Sequence, residues 1–202
     1  MTEDAVAILV RRPEIMNQTL DVVLLQTRFG GAFGGAWVPL ASNSEPIYSL
    51  MSYQPAHLHD IFNMYDATGQ RYSPSTNTWT SLVATAPYSN PWFGMAPVGM
   101  YLYGFANNGQ LYRYDTLTDT WQNPATFTGT AEYPTTVADE AGLVYGYRTD
   151  GNIVVFNPMT NAVSYRPTTV PVLRGSGSLF ETRIAYDPPT RSLYLGAFNT
   201  PE

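Results

Sequence analysis

Three of the four tryptophans recur at a constant interval, and this feature limits most strongly how the chain can fold. Trp37, Trp79 and Trp121 are spaced 42 residues apart, and one more step of the same length reaches Val163. A fixed period of this length is the signature of a repeat architecture, in which each repeat forms one unit of secondary structure. The sequence therefore predicts a series of equivalent units.

The residues that lead into the last three of these positions share a pattern. Each large apolar residue follows an aromatic residue by seven positions; the aromatic residues are Tyr72, Tyr114 and Phe156. Between them lies a short polar stretch that opens with Ser73, Asp115 or Asn157. Such side chains accept hydrogen bonds from the backbone two residues ahead, as turn residues do. The pattern predicts two strands joined by a tight turn, with the aromatic and the apolar residue on one face.

A second kind of turn precedes this hairpin in two of the copies. Asn108-Gly109 and Asp150-Gly151 are dipeptides that accept the positive φ of a tight hairpin turn. The strand-like segments around them carry single glycines; these glycines, with a third near the end of the chain, are Gly104, Gly146 and Gly196. No window shows sustained helical periodicity, and short strands rich in Tyr, Val, Thr and Phe alternate with turn residues. The predicted fold class is all-β.

A period of 42 residues with about four strands is typical of a β-propeller blade. The tyrosine, turn and tryptophan resemble the kelch repeat, in which a Tyr and a Trp flank such a turn and a glycine pair follows an inner strand. The resemblance covers residues 57–165 well and the rest of the chain loosely, and the glycine pair is reduced here to single glycines. It implies a small β-propeller and no catalytic residue.

The repeat divides the chain into one β-propeller domain, residues 1–202. Residues 1–40 form the closing strands, residues 41–82, 83–124 and 125–166 form three repeats, and residues 167–202 form a partial blade. The sequence predicts four blades, with the first strands completing the blade that the last strands begin. Such closure covers sheet edges that are otherwise open to unwanted pairing. Five blades, or an open arc completed by another chain, are the alternatives.

Composition excludes several classes of function. Ten basic and sixteen acidic residues give a net charge of −6, which argues against nucleic acid or an anionic membrane as partner. The apolar runs are too short to insert into a bilayer, and Glu3 and Asp4 have the wrong sign for a secretory signal peptide. The chain has no cysteine, so no disulfide or thiolate chemistry is expected.

His57 and His59 are weak candidates for a metal site. Two imidazoles can begin a zinc site, but a third or fourth ligand is needed, and the chain has no other histidine and no cysteine. We therefore expect neither a metal nor a cofactor.

Tyr88, Trp92 and Phe93 form a candidate binding segment. Trp92 falls outside the 42-residue period, so the repeat does not explain it. Aromatic side chains on a propeller loop can stack on a sugar or contact another protein.

The carboxylates are scattered, and no nucleophile-elbow glycine pattern surrounds a serine, so the sequence predicts a protein that is not an enzyme. Propellers are rigid scaffolds whose faces and loops bind partners. Low charge with abundant Asn, Thr, Tyr and Gly suits a virion component, and small propellers occur in bacteriophage tail nozzles and connectors. We expect a structural subunit of a virion that binds other protein subunits, as a homo-oligomer or a hetero-assembly. A glycan-binding, lectin-like or adhesin-like propeller is the main alternative, and a hydrolase is a third.

Overall fold

A computed structural model describes residues 5–9, 23–27, 38–39, 52–54, 60–65, 68–87, 94–106, 108–129, 136–148, 150–168 and 181–198. Within these ranges the chain forms strands and turns and no helix, so the predicted all-β fold class is confirmed. No helix long and apolar enough to cross a membrane occurs in this part of the chain.

The strands are short and every pairing between them is antiparallel. In chain order they are β1 Ala5–Leu9, β2 Val23–Thr27, β3 Val38–Pro39, β4 Ser52–Gln54, β5 Asp60–Tyr65, β6 Thr68–Ser73, β7 Thr78–Ser81, β8 Ala96–Val98, β9 Tyr101–Phe105, β10 Gln110–Asp115, β11 Thr120–Thr126, β12 Thr136–Ala138, β13 Val144–Tyr147, β14 Asn152–Asn157, β15 Ala162–Pro167, β16 Glu181–Asp187 and β17 Ser192–Phe198.

These strands form five sheets, which we number in chain order. Sheet 1 contains β1 to β3, sheets 2, 3 and 4 each contain four strands paired in chain order (β4–β7, β8–β11 and β12–β15), and sheet 5 contains β16 and β17. The first strands of sheets 2 to 5 contact one another in turn, β4 with β8, β8 with β12 and β12 with β16. Successive antiparallel sheets whose first strands are lined up side by side are the arrangement of a β-propeller.

The predicted turns recur with one geometry. Asn77, Asp119 and Asn161 end the turns between the third and fourth strands of sheets 2, 3 and 4, with φ of 53°, 52° and 55°. Asparagine and aspartate adopt this left-handed conformation more readily than other residues with a side chain. Gly109 and Gly151 have φ of 77° and 86° in the turns between second and third strands, as expected from the Asn-Gly and Asp-Gly dipeptides. One turn chemistry therefore repeats from sheet to sheet.

The periodic aromatic and apolar residues face each other across each of these turns. The directly opposed pairs are Tyr72 with Trp79, Tyr114 with Trp121, and Phe156 with Val163. In the first two pairs the ring centroids lie 5.2 Å and 5.1 Å apart. The 42-residue period thus marks the same pair of strands in three consecutive sheets. Trp37, which precedes β3, lies outside the described residues.

The core consists of side chains packed between neighbouring sheets. Phe62 and Met64 of sheet 2 pack against Leu102, Tyr112 and Tyr114 of sheet 3. The boundary between sheets 3 and 4 is formed by Tyr103, Phe105, Leu111, Val144, Val154 and Phe156. The boundary between sheets 4 and 5 is formed by Tyr145, Tyr147, Ile153, Val155, Ile184, Leu193 and Leu195. Each interior sheet is therefore apolar on both faces, which keeps the sheets stacked.

The single glycines lie on the second strand of their sheets, Gly104 in β9, Gly146 in β13 and Gly196 in β17. A Cβ at Gly146 would stand 2.4 Å from Cδ2 of Phe105, a fully buried ring of sheet 3. Gly146 is therefore required for the close approach of sheets 3 and 4.

The predicted closure of the ring involves sheets 1 and 5. Among the described strands, β1 to β3 pair only with one another and β16 pairs with β17. Four blades, with closure by the first and last strands, stay a prediction.

Candidate functional site

One end of the stacked sheets gathers two sets of turns. The turn after the first strand and the turn after the third strand of a sheet lie side by side, since Thr116 Oγ1 donates a hydrogen bond to the carbonyl oxygen of Met100 at 2.7 Å. We call this end the turn face and define it by residues 74–77, 99–100, 116–119, 139–143, 158–161 and 188–191. It contains polar contacts that connect sheet 3 to the segment after sheet 2 and sheet 4 to sheet 5.

The binding and metal candidates predicted from sequence fall elsewhere. Tyr88, Trp92 and Phe93 belong to the segment between β7 and β8, and His57 and His59 to the segment between β4 and β5. All five lie outside the residues that the structure describes, so their roles stay predictions. Within the described ranges, no group of three or more His, Cys, Asp or Glu side chains could hold a metal ion.

Asp119 connects sheet 3 to the segment that follows sheet 2. Its carboxylate accepts hydrogen bonds from the backbone N–H of Val83 at 2.8 Å and of Ala84 at 3.3 Å. It also accepts one from the Tyr114 hydroxyl at 2.9 Å. Burial raises the pKa of Tyr114 above its usual value, and the Asp119 carboxylate adds to the rise. Asp119 therefore has two roles: it adopts the left-handed conformation that ends the turn, and its carboxylate connects sheet 3 to the segment after sheet 2.

Asp139 organises the turn between β12 and β13. Its Oδ1 atom accepts hydrogen bonds from the N–H of Ala141 at 3.0 Å and of Leu143 at 2.8 Å, and its Oδ2 atom accepts one from the Tyr145 hydroxyl at 2.7 Å. Aspartate side chains commonly cap turns in this way, and Gly142 of the same turn has a φ of 79°.

Glu140 connects this turn to sheet 5. Its carboxylate accepts a hydrogen bond from the Tyr186 hydroxyl and lies 3.4 Å from Nε of Arg191. Arg191 has a φ of 52° and is the last residue of its turn, as Asn77, Asp119 and Asn161 are in the turns between third and fourth strands. An arginine in this conformation carries backbone strain. The ion pair with Glu140 is exposed to solvent and adds little to stability.

The pKa values of these groups are shifted away from neutral pH. Burial, with a further contribution from Asp139, raises the pKa of Tyr145 to about 12. The hydrogen bond to Glu140 raises the pKa of Tyr186 to about 12, and the same bond lowers the pKa of Glu140. General acid–base catalysis at neutral pH is most efficient with pKa values near 7. The tyrosines here stay protonated and Glu140 stays ionised, so the cluster can hold sheets together as fixed donor–acceptor pairs.

These shifts predict a loss of stability in alkali. Unfolded tyrosine ionises near pH 10, whereas folded Tyr145 ionises near pH 12, so the folded state keeps a proton that the unfolded state loses. We expect the Tm to fall by several degrees between these two pH values, and Tyr145→Phe to make that fall smaller. Thermal unfolding followed by circular dichroism measures both. Identical pH profiles for Tyr145→Phe and wild type would contradict the expectation.

Two exposed apolar side chains of the turn face were not singled out from sequence. Leu117 and Met159 are 65% and 89% exposed and hold equivalent places in consecutive turns. Ser75 holds the corresponding place in sheet 2. Their spacing of 42 residues was the signal that could have found them. Exposed apolar residues are enriched in surfaces that contact other proteins when they lie together.

Comparison with known proteins identifies the fold and no family. No protein-family model matches the chain, and no curated protein matches it. Among solved structures it is similar to a catalytically inactive virginiamycin B lyase from Staphylococcus aureus, determined with quinupristin. The identity is 13% and the TM-score is 0.59, over 87% of this chain and 59% of that chain.

This chain therefore spans 59% of the length of the solved lyase that it resembles. At 13% identity the likeness carries neither the activity nor the ligand of that protein to this one. The kelch pattern and the number of blades stay predictions. The likeness and the antiparallel sheets together show that this chain has a β-propeller-like all-β fold.

Proposed function

We propose that the chain is a non-enzymatic β-propeller module that acts as a structural subunit of a larger protein assembly. The observation that supports this most directly is the exposure of Tyr194 in sheet 5. Tyr103 of sheet 3 and Tyr145 of sheet 4 lie on the face of the second strand that is turned toward the following sheet, and they are 2% and 5% exposed; Tyr194 lies on that same face of β17 and is 58% exposed. One sheet of the series thus presents to solvent a side chain that its neighbours bury.

The packing explains which side of sheet 5 is open. On β13, Val144 packs toward sheet 3 and Tyr145 packs toward sheet 5. On β17, Leu193 and Leu195 pack against sheet 4, so Tyr194 between them faces the opposite side. A propeller sheet of this kind buries both faces in the interior of the series. The open side of sheet 5 is where a further sheet would pack.

The turn face supports the same function. Its carboxylates accept hydrogen bonds that fix the turns and connect neighbouring sheets, so this end of the fold is rigid; they belong to Asp119, Asp139 and Glu140. Leu117 and Met159 stand exposed upon it. Rigid elements that present exposed apolar side chains are suited to contacts with other proteins.

The finer proposal is a virion subunit, of which a bacteriophage tail nozzle, connector or other tail or head component is the preferred form. The small share of charged residues, 13%, and the abundance of Asn, Thr, Tyr and Gly support this proposal. In such an assembly the partners are protein subunits, either copies of this chain or other components.

The mass and symmetry of the native particle test this function. We expect the purified full chain to form an oligomer of defined mass by native mass spectrometry, with rotational or helical symmetry in electron micrographs. The mass should be measured over about a hundredfold range of concentration, because association depends on concentration. A folded monomer at every concentration, with no ordered particle, would overturn a self-assembling subunit.

A further inference from the structure

We propose that Asn108 is a site of self-modification, at which the side chain closes on the backbone nitrogen of Gly109, loses ammonia and becomes aspartate or isoaspartate. The site lies in the turn between β9 and β10, away from the turn face. The reacting groups belong to this turn and to the strand that follows it. The proposal does not depend on the assembly function above.

The residue that follows Asn108 favours this reaction. Asn108-Gly109 is the only Asn-Gly dipeptide in the sequence. Asn108 is exposed, and Gly109 has a φ of 77°. The turn requires glycine at this place, because a Cβ there would lie 3.0 Å from the carbonyl oxygen of Phe127. Since glycine has no side chain to shield its nitrogen, the fold retains beside Asn108 the neighbour that hinders ring closure least.

The Asn108 carboxamide is positioned by a hydrogen bond to the backbone. Its Oδ1 atom accepts this bond from the N–H of Gln110 at 3.1 Å. A bond to the residue two positions ahead folds the side chain back over its own backbone, which brings the carboxamide carbon toward the intervening nitrogen of Gly109. The Gln110 N–H also faces the oxygen on which negative charge develops during the attack, and such a donor stabilises that charge.

The nitrogen that must leave is in contact with the Tyr112 hydroxyl. Nδ2 of Asn108 donates a hydrogen bond to this hydroxyl at 3.1 Å, and Tyr112 is held in place because it is 6% exposed. A departing amide nitrogen takes up a proton, and a hydroxyl at hydrogen-bond distance is placed to supply it. The attacking N–H of Gly109 donates to the carbonyl oxygen of Ala106 at 3.3 Å, a long hydrogen bond that is easily given up.

The reaction is balanced with water as the only co-reactant. The Gly109 nitrogen forms a bond to Cγ of Asn108 and gives up its proton, and the bond from Cγ to Nδ2 breaks. Nδ2 leaves as ammonia with a proton from Tyr112, and the tyrosine regains a proton from solvent. Water then opens the cyclic imide. Its attack at one carbonyl carbon gives aspartate, and its attack at the other gives isoaspartate, whose backbone is longer by one carbon.

Sheet 4 shows that the aspartate product fits this turn. The corresponding turn contains Asp150-Gly151, and Asp150 Oδ1 accepts a hydrogen bond from the N–H of Asn152 at 3.1 Å, the same distance as in the Asn108 turn. Gly151 has a φ of 86°, close to that of its counterpart. Isoaspartate lengthens the turn and so disturbs the register of β9 with β10. The fold therefore accepts one product and is strained by the other.

Peptide mapping of the folded full chain tests the proposal. After incubation at neutral pH we expect a mass gain of about 1 Da, the difference between an amide and an acid, in the peptide that contains Asn108. Labelling with an isoaspartyl methyltransferase measures the isoaspartate share. Asn161, which is exposed and followed by alanine, is the control within the chain and should stay unchanged. An intact Asn108 in the folded chain, under conditions in which a synthetic peptide of residues 104–114 loses ammonia, would overturn the proposal.

Two variants test the part played by Tyr112. Tyr112→Phe keeps the ring and removes the hydroxyl, so we expect the rate of conversion at Asn108 to fall about tenfold or more. Tyr114→Phe is the matched control, because Tyr114 is buried on the same strand and its hydroxyl donates to Asp119 at the turn face. It should leave the rate unchanged. Equal rates for Tyr112→Phe and wild type would overturn the proton transfer from Tyr112.

A third variant, Asn108→Asp, supplies the aspartate product directly. We expect its Tm to stay within about 2 °C of the wild-type value, because sheet 4 uses the same residue in the same turn. Its peptide should show no further mass gain during incubation. A larger loss of Tm would overturn the conclusion that the fold accepts this product.

Discussion

Gly146→Val should be the most destabilising single substitution in the described core. A Cβ at this position would lie 2.4 Å from Cδ2 and 2.9 Å from Cε2 of Phe105, whose ring is fully buried and cannot move aside. Overpacking of this severity costs about 3 kcal/mol or more of the free energy of unfolding. In a chain of this size the Tm should fall by about 6 to 12 °C. Thermal and denaturant unfolding measure both quantities.

A second glycine provides the control for this substitution. Gly99 has a φ of 58°, and a Cβ there would meet nothing within 4 Å. Gly99→Asn suits that backbone conformation and should change the free energy of unfolding by less than about 0.5 kcal/mol. The double variant Phe105→Leu, Gly146→Val should lose less free energy of unfolding than the sum of the two single variants, because the smaller side chain relieves the clash. Additive losses would show that contact with Phe105 is not the cause.

Asp119→Ala is expected to have the next largest effect. It removes the acceptor of three hydrogen bonds, from the N–H of Val83 and Ala84 and from the hydroxyl of Tyr114. Tyr114 is 1% exposed, so its hydroxyl would be left buried without this partner. Alanine also fits poorly at a φ of 52°. Together these changes should cost about 2 to 4 kcal/mol in the free energy of unfolding, measured by denaturant titration.

A second substitution, Asn161→Ala, separates the contribution of the hydrogen bonds from that of the backbone conformation. Asn161 has a φ of 55°, nearly that of Asp119, but the aromatic residue of its turn is Phe156, which has no hydroxyl. Its replacement by alanine should therefore report the backbone cost alone, about 1 to 2 kcal/mol. Asp119→Asn, which keeps an acceptor oxygen and suits the left-handed conformation, should cost less than Asp119→Ala. Equal losses for Asp119→Ala and Asn161→Ala would show that the hydrogen bonds contribute nothing.

The strands and turns were predictable because their signals are local. Asp115 and Asn157 accept hydrogen bonds from the N–H of Leu117 and Met159, two residues ahead, as their side-chain chemistry requires. The opposition of Tyr114 and Trp121 follows from their spacing around a tight turn. Each of these features depends on residues within one hairpin.

The candidate site was less predictable, because its contacts join residues far apart in the chain. The distance between Asp119 and Val83 in sequence gives no sign that they meet, nor does that between Glu140 and Tyr186. The sequence drew attention to Tyr88, Trp92 and Phe93, which lie outside the described residues. It gave no reason to choose Tyr194, since Tyr103 and Tyr145 also lie on the second strands of their sheets.

Period, turn chemistry and alternation of apolar residues were enough to determine that this chain is all-β and built from repeated antiparallel sheets, because a hairpin is specified by the few residues within it. Which tyrosines of the second strands are buried was decided only when the sheets packed. Burial on that face comes from the following sheet: sheet 4 covers Tyr103 and sheet 5 covers Tyr145, whereas Tyr194 is 58% exposed. Solvent exposure of a side chain depends on what lies opposite it in space, and the residues within one hairpin do not specify that.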